Sequence, residues 1–276
     1  VLAAAFGTAS DSLTISTRSR AVAPGEIVIV TITSPVPIRA PIVRAFDRQL
    51  PSFAVNDRTW RVLVGIDIDV APGKHPVTVE SGADRVTHTL AVLPKQFPTR
   101  RLTVDDAFVN PPESAAKRIK EESELVAAIW KSSAPEMFWK GPFVRPVPQP
   151  ANSAFGTRSV FNGQRRGAHG GADFPSPAGT PVLAPNAGRV VLVRDLYYSG
   201  NTVIVDHGLG VFSYFAHLWH MTVTEGARVA PGPTVGHVGA TGRVTGPHLH
   251  WTVRVGGARV DPLALLALLG EPSGTK

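Results

Sequence analysis

Short apolar runs separated by turn residues fill the first third of the chain. The runs are Leu13 to Thr17, Glu26 to Thr33, Trp60 to Ile68, Pro76 to Glu80 and Arg85 to Val92. In the last two runs apolar and polar positions alternate, as in a strand that is buried on one face. Glycine, proline and aspartate mark the turns between the runs. The pattern predicts a small antiparallel sandwich of immunoglobulin type over residues 1–94.

A helical pattern replaces the strand pattern between residues 95 and 140. Asn110 is followed by two prolines and Glu113, a combination that is typical of a helix start. The apolar side chains that then recur at helical spacing are Ala115, Ile119, Leu125, Val126, Ile129 and Trp130. Because they share one face, the spacing predicts a linker helix that packs against a domain.

Strand patterns punctuated by glycine return from residue 141. The runs are Pro181 to Leu183, Gly188 to Val193, Asn201 to Asp206, Val211 to Ala216 and His248 to Val255. They predict a second β-rich domain over residues 141–276, with a terminal helix from Leu263 to Leu269. The predicted fold class is therefore mostly β: an N-terminal immunoglobulin-like sandwich, a helical linker and a C-terminal β-rich domain.

The chain is basic, with a net charge of +7 and a sequence pI of about 10.1. This charge favours an anionic partner such as nucleic acid, acidic lipid or a cell-wall polymer, although a dispersed basic surface without a partner fits equally well. The basic residues are scattered in short groups such as Arg165 and Arg166, and no recognised nucleic-acid motif is present. We therefore expect no nucleic-acid partner.

The ends of the chain and its apolar stretches bear on localisation. No stretch approaches the roughly 18 consecutive apolar residues that span a bilayer, so we expect no transmembrane segment. The opening residues VLAAAFGTAS contain the small side chains that end a signal peptide, but not its basic start. We expect that an export signal has been removed.

Five residues with metal-binding or proton-transfer chemistry lie in three short motifs. They are His169 and Asp173 in HGGAD, His217 in AHL, and His248 and His250 in HLH. Because the chain has no cysteine, a zinc site must use imidazole and carboxylate. A catalytic zinc keeps three protein ligands and leaves a position for water, so this set is large enough for such a site with two imidazoles to spare.

The spacing within the motifs lets their side chains converge. Residues two apart share one face of a strand, so His248 and His250 project together. The two glycines between His169 and Asp173 allow the backbone to bend so that both reach one ion. Trp251 then faces away from the two histidines and is expected in the core. For Tyr198 and Tyr214 we favour core packing or turn capping over a cleft.

Flanking sequences connect these motifs to a known family. The stretches are SAFGTR at 153–158, HGGAD at 169–173, AGTPVLAPNAGRVV at 178–191, GNTVIVDHG at 200–208, YFAHL at 214–218, TGRVTGPHLHW at 241–251 and VDP at 260–262. Together they resemble the lysostaphin-type (LytM-like) peptidoglycan metallopeptidases, in the family order and over roughly half of the chain. The N-terminal half shows no comparable resemblance.

The resemblance implies a set of ligands and catalytic groups. It implies that His169, Asp173 and His250 hold one zinc ion per chain, and that His217 and His248 act on the water and the transition state. Either of these two histidines fits the role of general base. No position departs from the family pattern, whereas non-hydrolytic members typically lack some of these residues.

The resemblance also implies a substrate and a place in the cell. We expect a zinc-dependent endopeptidase that cuts peptide cross-links of bacterial peptidoglycan, at D-alanyl–diaminopimelate bonds in preference to glycine bridges. We expect an exported protein of the periplasm or cell envelope, with the N-terminal domain or linker helix as a candidate surface for a regulatory protein.

Two alternatives stay open beside this interpretation. The first is a non-hydrolytic envelope protein that binds peptidoglycan or activates a cell-wall amidase. The second is a histidine phosphocarrier, against which the carboxylate of Asp173 argues because it would repel a phosphoryl group.

Overall fold

In the computed structural model of the protein, residues 13–103, 109–152 and 155–270 are described. Within these ranges the chain is mostly β with two helices, which confirms the prediction of a mostly β fold. The signal-like residues 1–10 and the first two residues of the stretch at 153–158 lie outside the described residues. Neither of the two described helices has the length and apolar character needed to cross a bilayer.

Eight strands form two four-stranded antiparallel sheets at the N-terminal end. The first sheet contains, in order, β1 (Thr14–Ser19), β2 (Ile27–Thr33), β6 (Thr59–Gly65) and β5 (Ser52–Ala54). The second contains β4 (Arg48–Leu50), β3 (Ile42–Ala45), β7 (Gly73–Ser81) and β8 (Asp84–Val92). Side chains from both sheets, such as Val30, Val64, Val43 and Val79, share one apolar cluster. This arrangement follows the alternation along the strands.

The C-terminal part is built on a nine-stranded sheet. Its strands are β12 (Ala172–Phe174), β13 (Pro181–Leu183), β14 (Gly188–Leu196), β15 (Gly200–Gly208), β16 (Val211–Met221), β17 (Arg228–Val229), β18 (Thr234–Val238), β19 (Leu249–Val255) and β20 (Ala258–Val260). The main path runs β12-β19-β16-β15-β14-β17. Helix α2 (Pro262–Leu269) follows, and the Asp261 side chain caps it by accepting from the Leu263 N–H at 2.9 Å.

The segment from 95 to 140 contains a strand as well as the predicted helix. Strand β9 (Thr99–Leu102) lies parallel to β10 (Arg158–Phe161), which pairs antiparallel with β11 (Gln164–Ala168). Helix α1 (Glu113–Ile129) starts where the proline pair predicted. Its stripe, with Ile129 and Trp130 at the end, packs on one face of the nine-stranded sheet against Leu192, Ile204 and Phe212.

Strands β2 and β6 are buried on both faces. Val30 and Val64 point into the N-terminal cluster, whereas Ile29 and Leu63 join the core of the nine-stranded sheet. This double burial explains the nearly continuous apolar sequence of β2. At the end of β6, a Cβ on Gly65 would lie 2.5 Å from the Val255 carbonyl oxygen, so the two backbones approach as closely as only glycine allows.

Ion pairs also stabilise the contact between the N-terminal sheets and the nine-stranded sheet. Arg259 donates to both carboxylate oxygens of Asp67, at 2.6 and 3.1 Å, and its backbone N–H donates to the same group. Burial by itself would raise the pKa of Asp67, but the hydrogen bonds from Arg259 outweigh it and lower that pKa. Arg20 bridges Glu26 and Asp261 at 2.7 and 2.9 Å. The N-terminal sheets are therefore joined to the C-terminal sheet by apolar packing and by bidentate charge pairs.

We expect Gly65→Ala to destabilise the protein by about 1–3 kcal/mol, because the added methyl group has to displace the β19 backbone. Denaturant unfolding of the whole chain measures the change. Gly167→Ala is the matched control, since a Cβ there meets nothing within 4 Å and the effect should stay within about 0.5 kcal/mol. Equal stability of the two variants would contradict a tight contact at Gly65.

Candidate active site

Two strand pairings bring three of the predicted site residues to one place. Strand β12 pairs antiparallel with β19, and Asp173 is the direct partner of His250. Paired residues of an antiparallel sheet project from the same face, so the two side chains meet. Strand β16 flanks β19 on its other side, with Ala216 opposite His250. His217, the next residue, is thereby delivered to the same region.

A glycine turn brings in His169, which directly follows β11. A Cβ on Gly171 would lie 2.3 Å from the Trp251 carbonyl oxygen, whereas one on Gly170 would meet nothing within 4 Å. The backbone at Gly171 is therefore pressed against β19 in a way that a side chain would prevent. This close approach holds His169 beside the Asp173–His250 pair.

The ligand atoms of these three residues converge on one point. His169 Nε2 lies 2.9 Å from Asp173 Oδ1 and 3.0 Å from His250 Nδ1, and the last two atoms are 2.8 Å apart. In a tetrahedral zinc site, neighbouring ligand atoms are separated by about 3.4 Å. The observed spacings are within roughly half an ångström of this value. Two imidazoles and one carboxylate in this geometry can hold one zinc ion.

Hydrogen bonds orient these ligands. His250 Nε2 donates to Thr252 Oγ1 at 2.9 Å, which leaves Nδ1 to face Asp173. Burial by itself would raise the pKa of Asp173, but the close contacts of its carboxylate with His169 and His250 outweigh it and hold that pKa well below its usual range. Burial lowers the pKa of His250. A carboxylate beside a neutral imidazole is the protonation state that metal binding requires.

His217 occupies a strained position in β16. Its φ of +63° is in the left-handed region, which is unusual for a residue other than glycine. The pairing of β15 with β16 shifts register across this residue, as at a β-bulge. The ring Nδ1 donates to the Thr241 carbonyl at 3.0 Å, and burial, reinforced by repulsion from His250 and His248, lowers the pKa of His217 to about 3.

His248 faces His217 across the site. Its ring centre lies 4.9 Å from that of His217, and its Nδ1 donates to the Gly246 carbonyl at 2.9 Å. Its Nε2 lies 3.8 Å from Asp173 Oδ1. Both rings thus direct Nδ1 to a backbone carbonyl, which leaves Nε2 of each ring available for proton transfer.

An open cleft of about 1030 Å³ surrounds the five residues. Tyr198 and Tyr214 line it, although Tyr214 also packs against the apolar cluster beneath α1 as expected, and Trp130 at the end of α1 lines it too. The tyrosines lie at the cleft because Tyr214 shares a face of the sheet with Ala216, and Tyr198 stacks under Arg243 at 4.4 Å. The linker helix packs against the sheet as the sequence predicts, and its last turn also forms part of the cleft wall.

The remaining motif residues are structural. His207 is fully buried in β15, bonded to the Ala187 carbonyl at 2.8 Å and to Ser213 Oγ at 2.9 Å, and burial lowers its pKa to about 4. Trp251 is fully buried in the core, as predicted. The groups that orient the site histidines are the Thr252 hydroxyl and the Thr241 and Gly246 carbonyls. Thr241 and Gly246 lie within the stretch TGRVTGPHLHW, but none of these three roles was predicted.

Comparison with known proteins agrees with this geometry. Residues 167–262, which include the whole site, match peptidase family M23. A Pseudomonas aeruginosa protein assigned to this family, known from its crystal structure, is 31% identical, with 89% of this chain and 95% of that chain covered and a TM-score of 0.73. The chain belongs to peptidase family M23. The resemblance to lysostaphin-type enzymes in its sequence is thereby confirmed.

Two curated relatives match about a third of the chain. The peptidoglycan DD-endopeptidase ShyA of Vibrio cholerae is 41% identical over 100 residues, which are 36% of this chain and 23% of that protein. The DD-carboxypeptidase/endopeptidase Mpg of Neisseria meningitidis is 40% identical over 97 residues, 35% of this chain and 22% of that protein. The matched region therefore spans less than a quarter of each of these relatives.

The two neighbouring glycines of the HGGAD turn allow a sharp test of its geometry. We expect Gly171→Ala to weaken zinc binding at least tenfold, because its methyl group would push the turn away from β19 and separate His169 from His250. Gly170→Ala, one residue away with open space around it, should bind zinc as the wild type does. Competition with a chromophoric chelator measures both affinities, and equal affinities would refute this account of the turn.

Proposed function

We propose that the protein is a zinc-dependent endopeptidase that hydrolyses peptide cross-links of bacterial peptidoglycan. The observation that carries the proposal is the convergence of three ligand atoms within 3.0 Å of one another, with two further imidazoles beside them. The names of the Vibrio and Neisseria relatives favour a D,D bond, and we therefore propose the D-alanyl–diaminopimelate cross-link as the one that is cut.

In this proposal His169, Asp173 and His250 are the metal ligands. When bound by three such ligands, zinc leaves a position for water, lowers the pKa of that water and polarises the scissile carbonyl. The hydrogen bond of His250 to Thr252 keeps the ligating nitrogen directed at Asp173, and the glycine turn keeps His169 in reach. These residues thus supply a rigid face toward which the peptide bond is presented.

We assign proton transfer to the other two histidines. His217 is neutral and presents the lone pair of Nε2, so it accepts the proton from the attacking water. His248 has its Nε2 3.8 Å from a carboxylate oxygen of Asp173 and faces His217 across the site. It donates a proton to the leaving nitrogen as the carbon–nitrogen bond breaks, and so releases the new amine. The strained backbone at His217 directs its ring toward this exchange.

The non-hydrolytic alternative is less well supported. An activator or binding protein has no need of a complete ligand set, nor of two more histidines beside that set. The phosphocarrier alternative fits less well still, because Asp173 lies 2.8 Å from His250 and would repel a phosphoryl group there.

We further propose three structural units, residues 1–94, 95–140 and 141–276, and an exported protein of the periplasm or cell envelope. The cell-wall relatives support a location outside the cytoplasm. The first unit is fastened through Asp67 and Arg259 and holds β19 in place. Its remaining surface and the outer face of α1 are the candidate surfaces for a regulatory protein.

Digestion of purified sacculi tests the function. We expect the protein to release uncross-linked muropeptides from diaminopimelate-type sacculi and little from glycine-bridged ones, with mass analysis identifying the new ends. Chelation of the metal should abolish release, and added zinc should restore it. Binding to both kinds of sacculi without any release would contradict the proposal and favour the non-hydrolytic alternative.

Substitution of single histidines tests the assigned roles. We expect His250→Ala to lose the metal, whereas His248→Ala and His217→Asn retain about one zinc per chain but lose roughly 10²–10⁴-fold in turnover. Asparagine is chosen at 217 because it tolerates a positive φ. His220→Ala, an exposed histidine outside the cleft, is the control and should keep both zinc and turnover. Wild-type turnover of His248→Ala and His217→Asn would mean that the proton-transfer roles are wrongly assigned.

A further inference from the structure

An arginine lies on the floor of the same cleft, away from the five site residues. Arg254 follows His250 by four positions in β19, and Thr252 lies between them. Even spacing in a strand places all three side chains on one face, with about 13 Å between the Cα atoms of His250 and Arg254. All three residues line the cleft that contains the metal-binding group. A substrate extended along β19 would therefore meet both ends of this row.

The charge of Arg254 has no acidic partner among the described residues. Its Nη1 donates to the Gly257 carbonyl at 3.2 Å, and its Nε is buried without a hydrogen bond. The nearby Asp67 is occupied by Arg259. Burial, followed by repulsion from Arg259, lowers the pKa of Arg254 to about 10, yet it stays charged at neutral pH. A partly buried cation without a counter-ion is unfavourable until an anion is supplied.

The position of this guanidinium is defined by aromatic packing. It lies over the ring of Trp130 at 5.3 Å, and Trp130 contacts Phe212 and Tyr214 with ring centres 5.2 and 6.2 Å away. Stacking orients the plane of the guanidinium but satisfies none of its N–H groups. A planar group held in this way presents a fork of donors that matches a carboxylate.

We propose that Arg254 is a specificity determinant that binds a carboxylate of the peptide substrate at the far end of the cleft. The inference rests on the proposed function and adds the chemical class of the substrate: an acidic peptide whose carboxylate lies about four extended residues from the scissile bond. The last turn of α1 takes part through Trp130, so the linker contributes to substrate selection. Neutral bridges of glycine would leave Arg254 unpaired.

The test uses cross-linked stem peptides in which one carboxylate at a time is converted to the carboxamide. For the wild-type holoenzyme, one of these changes should lower kcat/KM roughly 10- to 100-fold, chiefly through KM. Arg254→Gln should lower kcat/KM on the free-acid peptide by a similar factor. This variant should then cleave the free-acid and the amidated peptide with equal kcat/KM. Arg254→Lys keeps the charge but not the paired donors of the guanidinium. Its kcat/KM on the free-acid peptide should therefore lie between those of the wild type and of Arg254→Gln.

Arg228→Gln is the matched control. This arginine also stacks on an aromatic ring, Phe138 at 5.1 Å, but lies outside the cleft, so the variant should discriminate as the wild type does. The inference is overturned if no single amidation affects the wild type. It is equally overturned if Arg254→Gln slows free-acid and amidated peptides by the same factor, since this is the result of a purely structural role. If Arg254→Gln fails to fold, the lack of any amidation effect in the wild type still overturns the inference, and Arg254→Lys supplies the variant that assigns the carboxylate to Arg254.

Failure of the proposed function has a different signature. If the wild type cleaves none of the peptides, the endopeptidase assignment falls, and binding of the uncleaved peptides to metal-free protein still tests Arg254. Tighter binding of the free-acid peptide by the wild type, lost in Arg254→Gln but kept in Arg228→Gln, would support the carboxylate site. Equal binding of the free-acid and amidated peptides by the wild type would refute it.

Discussion

The register between β12 and β19 is the constraint on which the site depends. A slip of one residue would turn Asp173 and His250 to opposite faces and separate the ligand atoms. What prevents the slip lies on the other face of the sheet, where Trp251 and Phe174 are fully buried in the core. The spacing of the polar groups in the cleft is therefore maintained by apolar packing behind them.

The cleft combines parts that are far apart in the sequence. Strand β19 supplies its floor, the turn before β12 supplies His169, the bulge in β16 supplies His217, and the end of α1 supplies Trp130. Only the first three belong to the region that matches the family. The linker and the N-terminal sheets are packed onto this region through β2, β6 and the Arg259 ion pairs. The strands that carry the cleft residues are consequently also the strands whose packing stabilises the fold.

Local patterns in the sequence were sufficient for much of this architecture. Alternation located β7 and β8, the proline pair located the start of α1, and the motifs identified the residues that now lie together. The short strands β3, β4 and β5 were missed because three or four residues carry little periodicity. The parallel pairing of β9 with β10 was missed because it joins residues that are far apart along the chain.

The same limit applies within the site. His217 and its neighbours could be found by motif, but the positive φ that orients its ring could not. Thr252 contributes a hydroxyl, and Thr241 a backbone carbonyl that any residue would offer, so sequence alone does not distinguish them. Arg254 belongs to no motif, and its lack of an acidic neighbour exists only once β19, β20 and the Asp67–Arg259 pair are assembled. Electrostatic isolation of this kind is a property of the tertiary structure.

The double burial of β2 and β6 also has a consequence for biosynthesis. A ribosome makes the chain from its N-terminus, so Ile29 and Leu63 emerge long before the strands that cover them. Until β19 arrives, the N-terminal sheets carry an uncovered apolar face, which is the kind of surface that aggregates or recruits chaperones. Folding is therefore complete only when the strands that are synthesised last pack onto those that are synthesised first. A chain truncated before β19 would keep this apolar face exposed and would be a target for proteolysis.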